Sequence, residues 1–371
     1  MGELVRLGDV CELVMGQSPS STSYNMDGNG LPFYQGNSDF GEICPTISIW
    51  CTNPKKKAEK GDILISVRAP IGAINIASEE CCIGRGLAAI RPKTSNVSSD
   101  YLVHMLLANR KKLERMGTGS TFKAIGKKVL SEYLIPIYDK TEQIKIGQQF
   151  TAILKCMKIK QQQLDKLDQL IKSQFVEMFG DQKENPKNFQ QVNLSDVSFV
   201  GSSRRVFKND LINDGIPFLR GTEVGAYGSG TKPKPSLFIS ESHYNELVSY
   251  TGKPEPGDLL MPSICPDGQI WQVDTDEPFY FKDGRVLWVK PEREKIDSCF
   301  LRYALKNRFE SDFASIASGT TFAELKIVVL KQLVIPLPPL PLQQKFATFV
   351  AKVGKSRFVA RKSTELIIKN T

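Results

Sequence analysis

Histidine is almost missing from this chain, with only His104 and His243 in 371 residues. Its eight cysteines are scattered, and no two are spaced Cys-x-x-Cys; Cys81 and Cys82 are adjacent. A structural zinc site needs convergent Cys and His ligands, so none is expected. Cysteines without a framework read as reduced, mostly buried thiols of a cytoplasmic protein. No apolar run approaches the ~18 residues of a membrane span. The opening Met1–Asp9 carries acids and no apolar core, unlike a secretory signal, and Arg6 stands where a myristoylation signal has Ser or Thr.

Catalytic patterns are missing too. Gly126-Lys127 has Thr121 where a phosphate loop needs its first Gly, and Gly225, Gly228 and Gly230 lack the dinucleotide spacing, with no helical pattern following. Asp181-Gln182-Lys183 and Glu324-Leu325-Lys326 carry only the acid-x-Lys part of a metal nuclease; no further carboxylates converge, and Ala124 and Gly126 stand at the equivalents of Glu324 and Lys326. Asn53-Pro54-Lys55 and Asn185-Pro186-Lys187 stop short of an adenine-methyltransferase motif, and no Gly-x-Ser-x-Gly occurs. No catalytic residue, metal ligand or cofactor site is therefore assigned to this chain.

What is present begins with charge. Lys and Arg number 49 against 40 Asp and Glu, a net +9, which favours an acidic partner and nucleic acid first. An apolar fraction of 41% supports real cores, and the length allows two or three domains.

The chain repeats itself. Leu7-Gly8-Asp9-Val10 returns as Leu194-Ser195-Asp196-Val197, Leu31–Gly36 as Ile216–Gly221, and Gly61-Asp62-Ile63-Leu64 as Gly257-Asp258-Leu259-Leu260. Gly119-Ser120-Thr121-Phe122 returns as Gly319-Thr320-Thr321-Phe322, and Leu134-Ile135-Pro136-Ile137 as Val334-Ile335-Pro336-Leu337. Order is kept over nearly the whole chain, at a period far too long for a solenoid, so a duplicated domain is expected. Each half has short β-like runs such as Ile63–Val67 and Val286–Val289, a helical stretch near Tyr101–Arg115 or Phe300–Phe313, an apolar-Pro strand, and a long helix.

The first long helix is predicted from Thr141, as N-cap, to Phe179, with Gly180 as stop. Ile146, Phe150, Ile153, Met157, Lys160, Leu164, Leu167, Ile171, Gln174 and Met178 form a heptad seam with two polar breaks. The second helix starts near Leu342 and carries Phe346, Val350, Val353, Arg357, Ala360, Thr364 and Ile367 on the same seam. Two such seams are expected to pack antiparallel, with the domains as heads at a fixed separation. The second helix is also basic, with seven Lys or Arg and one acid from Gln343 to Thr371.

Repeated polar loops supply candidate DNA contacts. Ser120, Thr121, Lys123, Thr320 and Thr321 combine hydroxyls or charge with small neighbours that let a backbone approach phosphate, with Phe122 and Phe322 as loop anchors. Gln35 and Asn37 suit adenine edges, whereas Arg220, beside Thr222, suits guanine; the adjoining Gly is kept while the reading residue changes. Gln17, Ser20 and Ser21 in one half match Ser202, Ser203, Arg204 and Arg205 in the other, and Arg68 and Arg85 match Arg285.

These elements together resemble the specificity subunit of a type I restriction-modification enzyme, over essentially the whole chain. The carrying residues are Leu7–Val10, Gly61–Leu64, Gly119–Phe122, Ile135-Pro136-Ile137 with Glu142-Gln143-Ile144, Val334–Pro339 and Gln343-Gln344. The resemblance implies an α+β fold: two homologous mixed α/β target recognition domains, residues 1–140 and 181–340, separated by a spacer helix at 141–180 and a C-terminal helix at 341–371, antiparallel and pseudo-two-fold. Each domain would read half of a bipartite double-stranded DNA site, with heads about 34 Å apart, one duplex turn. The helices would set the gap and dock two modification subunits, which carry S-adenosylmethionine and methylate adenine. Two motor-nuclease restriction subunits using ATP and Mg²⁺ would complete the enzyme. The second helix departs from the pattern by being shorter and by carrying Arg357 and Thr364 in its seam. The alternative is a duplicated nucleic-acid-binding scaffold unrelated to modification.

Overall fold

The computed structural model describes residues 2–118, 123–265, 267–318 and 323–369, with side chains through Lys362. Ser120, Thr121, Phe122, Thr320, Thr321 and Phe322 lie outside the described residues, as do the side chains of Thr364 and Ile367. The chain forms two compact units, Met1–Ile159 and Lys160–Thr371, and the boundary falls inside a single helix, Lys140–Phe179.

In the first unit, strand Glu3–Arg6 pairs antiparallel with Leu134–Ile137. A four-stranded antiparallel sheet runs in the order Cys11–Met15, Leu87–Pro92, Ile63–Ser66, Ile74–Ile76. A five-stranded sheet runs in the order Tyr24–Asn25, Trp50–Cys51, Leu31–Tyr34, Cys81–Ile83, Lys57–Ala58, with one parallel pair in which Phe33 faces Cys82. Strand Ile63–Ser66 is apolar at successive positions because both of its faces are covered. Ile63 and Ile65 pack with Tyr101, Leu102 and Leu106 of helix Ser99–Ala108, while Leu64 packs with Tyr34, Leu87 and Ala89.

The second unit repeats this topology. Gln190–Asn193 pairs with Val334–Leu337. The four-stranded sheet is Ser198–Gly201, Val286–Pro291, Leu259–Pro262, Trp271–Gln272, and a further sheet again holds one parallel pair, Phe218 facing Tyr280. Leu259 and Met261 face one core, Leu260 the other. The Gly-Asp pair that recurs in sequence makes the same turn twice. Gly61 and Gly257 take φ of 90° and 99°, where a Cβ is strained. The following Asp62 and Asp258 are buried and accept the amide protons of Glu59 and Glu255 at 2.8 and 3.1 Å.

Local differences from expectation have physical causes. The first long helix is capped by Asp139, whose Oδ1 accepts from the Glu142 amide at 3.0 Å, and not by Thr141. Gly180 does end it, at φ 75°. The Tyr101–Arg115 stretch is two helices, Ser99–Ala108 and Arg110–Arg115, and its counterpart Ser298–Ile316 is kinked at Asp312. The segment after Arg220 is a helix, Gly221–Gly228, and not a loop; Glu223 caps it and Val224 is buried beneath it.

The second long helix, Leu340–Lys369, packs inside the second unit. Phe346 is fully buried against Phe175 and Phe179, with ring centroids at 5.4 and 5.5 Å. Further along, Arg357 pairs with Asp168 at 3.1 Å. Rising numbers on one helix meet falling numbers on the other, so these segments run antiparallel. Leu167, Ile171, Val350 and Val353 belong to the same core, and Leu164 is half-buried. In the first unit Phe150, Ile153 and Met157 are half-buried, and Phe150 stacks on His104 at 5.8 Å. No helix among the described residues is long and apolar enough to cross a membrane.

Candidate nucleic-acid interface

In each unit the polar loops singled out in the sequence meet at one end of the four-stranded sheet, tied by matching backbone bonds. In the first unit Gln17 donates its amide to Ile83 O at 3.0 Å, Gly86 to Gln35 O at 3.1 Å, Val67 to Gly86 O at 2.9 Å and Ile125 to Val67 O at 2.8 Å. In the second, Ser263 donates to Arg285 O at 2.9 Å and Leu325 to Ser263 O at 2.7 Å. The bridge Thr118–Ala124 recurs as Ser318–Glu324, at this same sheet end in both units.

The first unit has an open, cationic version of the site. A cleft of about 310 Å³ is lined by Gln35, Asn37, Arg68 and Arg85, with Ser66 and Asp39. Ser66 Oγ donates to the carbonyls of Arg68 and Pro70, each at 2.8 Å, and fixes the turn that carries Arg68. Asp39 Oδ2 accepts from the amides of Gln35 and Gly36 at 2.6 and 3.1 Å and shapes the turn that presents Gln35. The Arg85 amide donates to Ser18 Oγ at 3.3 Å. Among the described residues neither Arg68 nor Arg85 pairs with a carboxylate, so both guanidinium groups are open to an anion or a base edge. Lys123 is exposed, next to Ala124, which bridges Arg68. Ser20 and Ser21 do not line the cleft; Ser20 Oγ lies 2.9 Å from Thr22 Oγ1, and Ser21 opens a short 3-10 turn.

The second unit has a carboxylate-latched version. Arg220 places Nε and Nη2 on Glu223 at 3.2 and 2.5 Å, and Thr222 Oγ1 donates to the same carboxylate at 3.0 Å. The Arg220 hydrogen bond is the main cause that pushes the Glu223 carboxyl down to about 2. Arg205 Nε reaches Asp283 at 3.3 Å, and the Arg204 guanidinium sits 4.2 Å above the exposed Tyr250 ring. Arg285 Nη1 donates to Glu324 Oε1 at 2.9 Å, and Ser263 Oγ donates to the same oxygen at 2.8 Å. The hydroxyls of Ser202 and Ser203 are spent inward, on Val286 O and Phe281 O, both at 2.6 Å.

The strand register also revises one equivalence. The Val67 and Ser263 amide bonds place Gly86, not Arg85, at the position of Arg285. Sequence reasoning missed the carboxylates Glu223 and Asp283 and set Glu324 aside as a fragment of a nuclease motif. The acid three residues after Arg220 is a capping-box signal that pointed to Glu223. Nothing in sequence spacing joins Glu324 to Arg285.

The family description "Type I restriction modification DNA specificity domain" matches residues 2–169 and again 186–366. A Methanocaldococcus jannaschii protein described as a type I restriction enzyme MjaX specificity subunit is 40% identical over 168 residues, 45% of this chain and 40% of that protein. The chain thus spans two fifths of that relative. The type I restriction enzyme MjaIX specificity subunit of the same organism is 27% identical over 94% of this chain and 85% of its own length. A crystal structure of a type I restriction-modification S subunit from M. genitalium shares the fold, with TM-score 0.58 and 14% identity over 99% of this chain and 93% of that one.

Proposed function

Because the chain belongs to the type I restriction modification DNA specificity family, we propose that it is the non-catalytic subunit that reads a bipartite double-stranded DNA site for a type I restriction-modification complex. The observation that carries this reading is the sheet-end loop set, built twice on one topology with different side chains at equivalent positions. A repeated scaffold with unlike readers is what two unlike half-sites require. Residues 1–140 form one target recognition domain and 181–340 the other.

In the first domain Gln35 and Asn37 offer the paired donor and acceptor that match an adenine edge in the major groove. Arg68, Arg85, Lys123, Ser120 and Thr121 supply phosphate or guanine contacts. In the second domain Arg204, Arg205, Arg220, Thr222 and Arg285 take these roles, with Thr320 and Thr321. Gln17, Ser20, Ser21, Ser202 and Ser203 shape or flank the reading loops. Phosphate contacts fix position and base contacts specify sequence.

The helices at 141–180 and 341–371 act as an antiparallel, pseudo-two-fold ruler that sets the unread gap. Their outer faces dock two modification subunits, which bind S-adenosylmethionine and methylate adenine. Two restriction subunits bring ATP and Mg²⁺, and this chain holds none of these groups. Family membership favours this reading over a scaffold unrelated to modification.

The test is an adenine-methylation map by long-read sequencing, in cells that express the matching modification subunits, with and without this chain. One bipartite methylated motif should disappear with the chain. An unchanged map with active modification subunits contradicts the reading.

A further inference from the structure

The two sheet-end sites differ most at one trio of positions. The second unit holds Ser263, Arg285 and Glu324, and the first holds Val67, Gly86 and Ala124 at the matching places. We propose that Arg285, held in place by Glu324, reads a guanine in the second half-site, and that the first half-site has no counterpart to this contact. The proposal rests on the function proposed above.

The arginines of the second unit differ in what holds them. Arg220 commits the Nε–Nη2 edge of its fork to Glu223. Arg204 is stacked on Tyr250, and Arg205 is held through Nε by Asp283. Arg285 is engaged differently: its Nη1 holds Glu324, and among the described residues nothing engages its Nε or Nη2. Its side chain is 59% exposed, which leaves the Nε–Nη2 edge available as a two-donor fork. That fork matches O6 and N7 of guanine.

Glu324 is a positioning residue, and it is itself fixed. Ser263 Oγ binds the oxygen that Arg285 binds, and the Glu324 backbone is bridged to Ser318. Arg285 is thus oriented before DNA arrives, which lowers the entropy lost on forming a bidentate contact. Gly86 in the first unit has no side chain to extend, and Ala124 has no carboxylate to hold one. Reading there falls to Gln35, Asn37, Arg68 and Arg85 on the neighbouring loops.

The experiment maps adenine methylation in cells carrying the modification subunits with wild-type chain, R285A or E324Q. Wild type should specify guanine at one position of the second half-site. R285A should lose that preference by roughly ten- to a hundred-fold, the range of one bidentate contact, while the first half-site stays unchanged. E324Q should relax the same position to a smaller degree. In duplex-binding assays with the assembled complex, 7-deazaguanine at that position should weaken wild type and leave R285A unaffected. A second half-site unchanged in R285A, or equal loss in both halves, overturns the assignment. A wild-type map without any bipartite motif contradicts the function itself, a separate outcome.

Discussion

Two buried glutamines show how this fold uses single side chains. Gln143 is fully buried at the start of the first long helix. Its Nε2 donates to Asn96 O and Tyr138 O at 3.0 and 2.8 Å, and its Oε1 accepts from the Ser98 amide at 2.9 Å. Gln343 repeats this, donating to Pro338 O at 2.7 Å and accepting from the Asp297 amide at 2.8 Å. Only an amide supplies both polarities here, so the glutamines join the long helices to the N-termini of helices Ser99–Ala108 and Ser298–Ile316. Gln143→Ala strips partners from three backbone groups and should cost about 2–3 kcal/mol. Gln143→Glu should cost at least as much, since a carboxylate would face two carbonyls. Denaturant unfolding measures both; a change below about 0.5 kcal/mol contradicts this role. The sequence singled out Glu142-Gln143 and Gln343-Gln344 as carriers of the family resemblance, but not the amide's role, because the amide partners Ser98 and Asp297 lie some 45 residues away. Glu324 was hidden for the same reason, standing 39 positions from Arg285.

Strands and helices were legible where periodicity or punctuation is strong. The Gly-Asp turns, the apolar-Pro strands and both long helices stand where the pattern puts them. Helices Gly221–Gly228 and Glu241–Thr251 were not foreseen. The first is rich in Gly, whose low helix propensity masks it, and is held by the Glu223 cap and burial of Val224. The second long helix is anchored by an aromatic cluster in which Phe346 lies 5.4 Å from Phe175 and 5.3 Å from Tyr303. Phe346→Ala should destabilise the second unit by about 3–5 kcal/mol. The Arg357–Asp168 pair, half exposed, is worth less than about 1 kcal/mol, so Asp168→Asn should be nearly silent. Calorimetry of the two variants tests the contrast; equal losses would contradict the anchoring role of the ring cluster.

At the scale of the whole molecule, duplication was the most legible property, because repeated turns and strand exits survive while the loop side chains diverge. The same pairing register joins Glu3 to Ile137 and Gln190 to Leu337. What the sequence concealed is the difference in electrostatic style, open cations in one unit and latched cations in the other. That difference depends on side chains brought together only by folding. The central claim is that two readers are spaced by a helical ruler, and the most direct test inserts four residues at Gln161–Gln163. At 1.5 Å per residue this adds about 6 Å, the rise of roughly two base pairs, and keeps the seam close to register. The methylation map of that variant should show both half-sites unchanged and the gap between them longer by about one or two base pairs. An altered half-site with an unchanged gap would contradict the account.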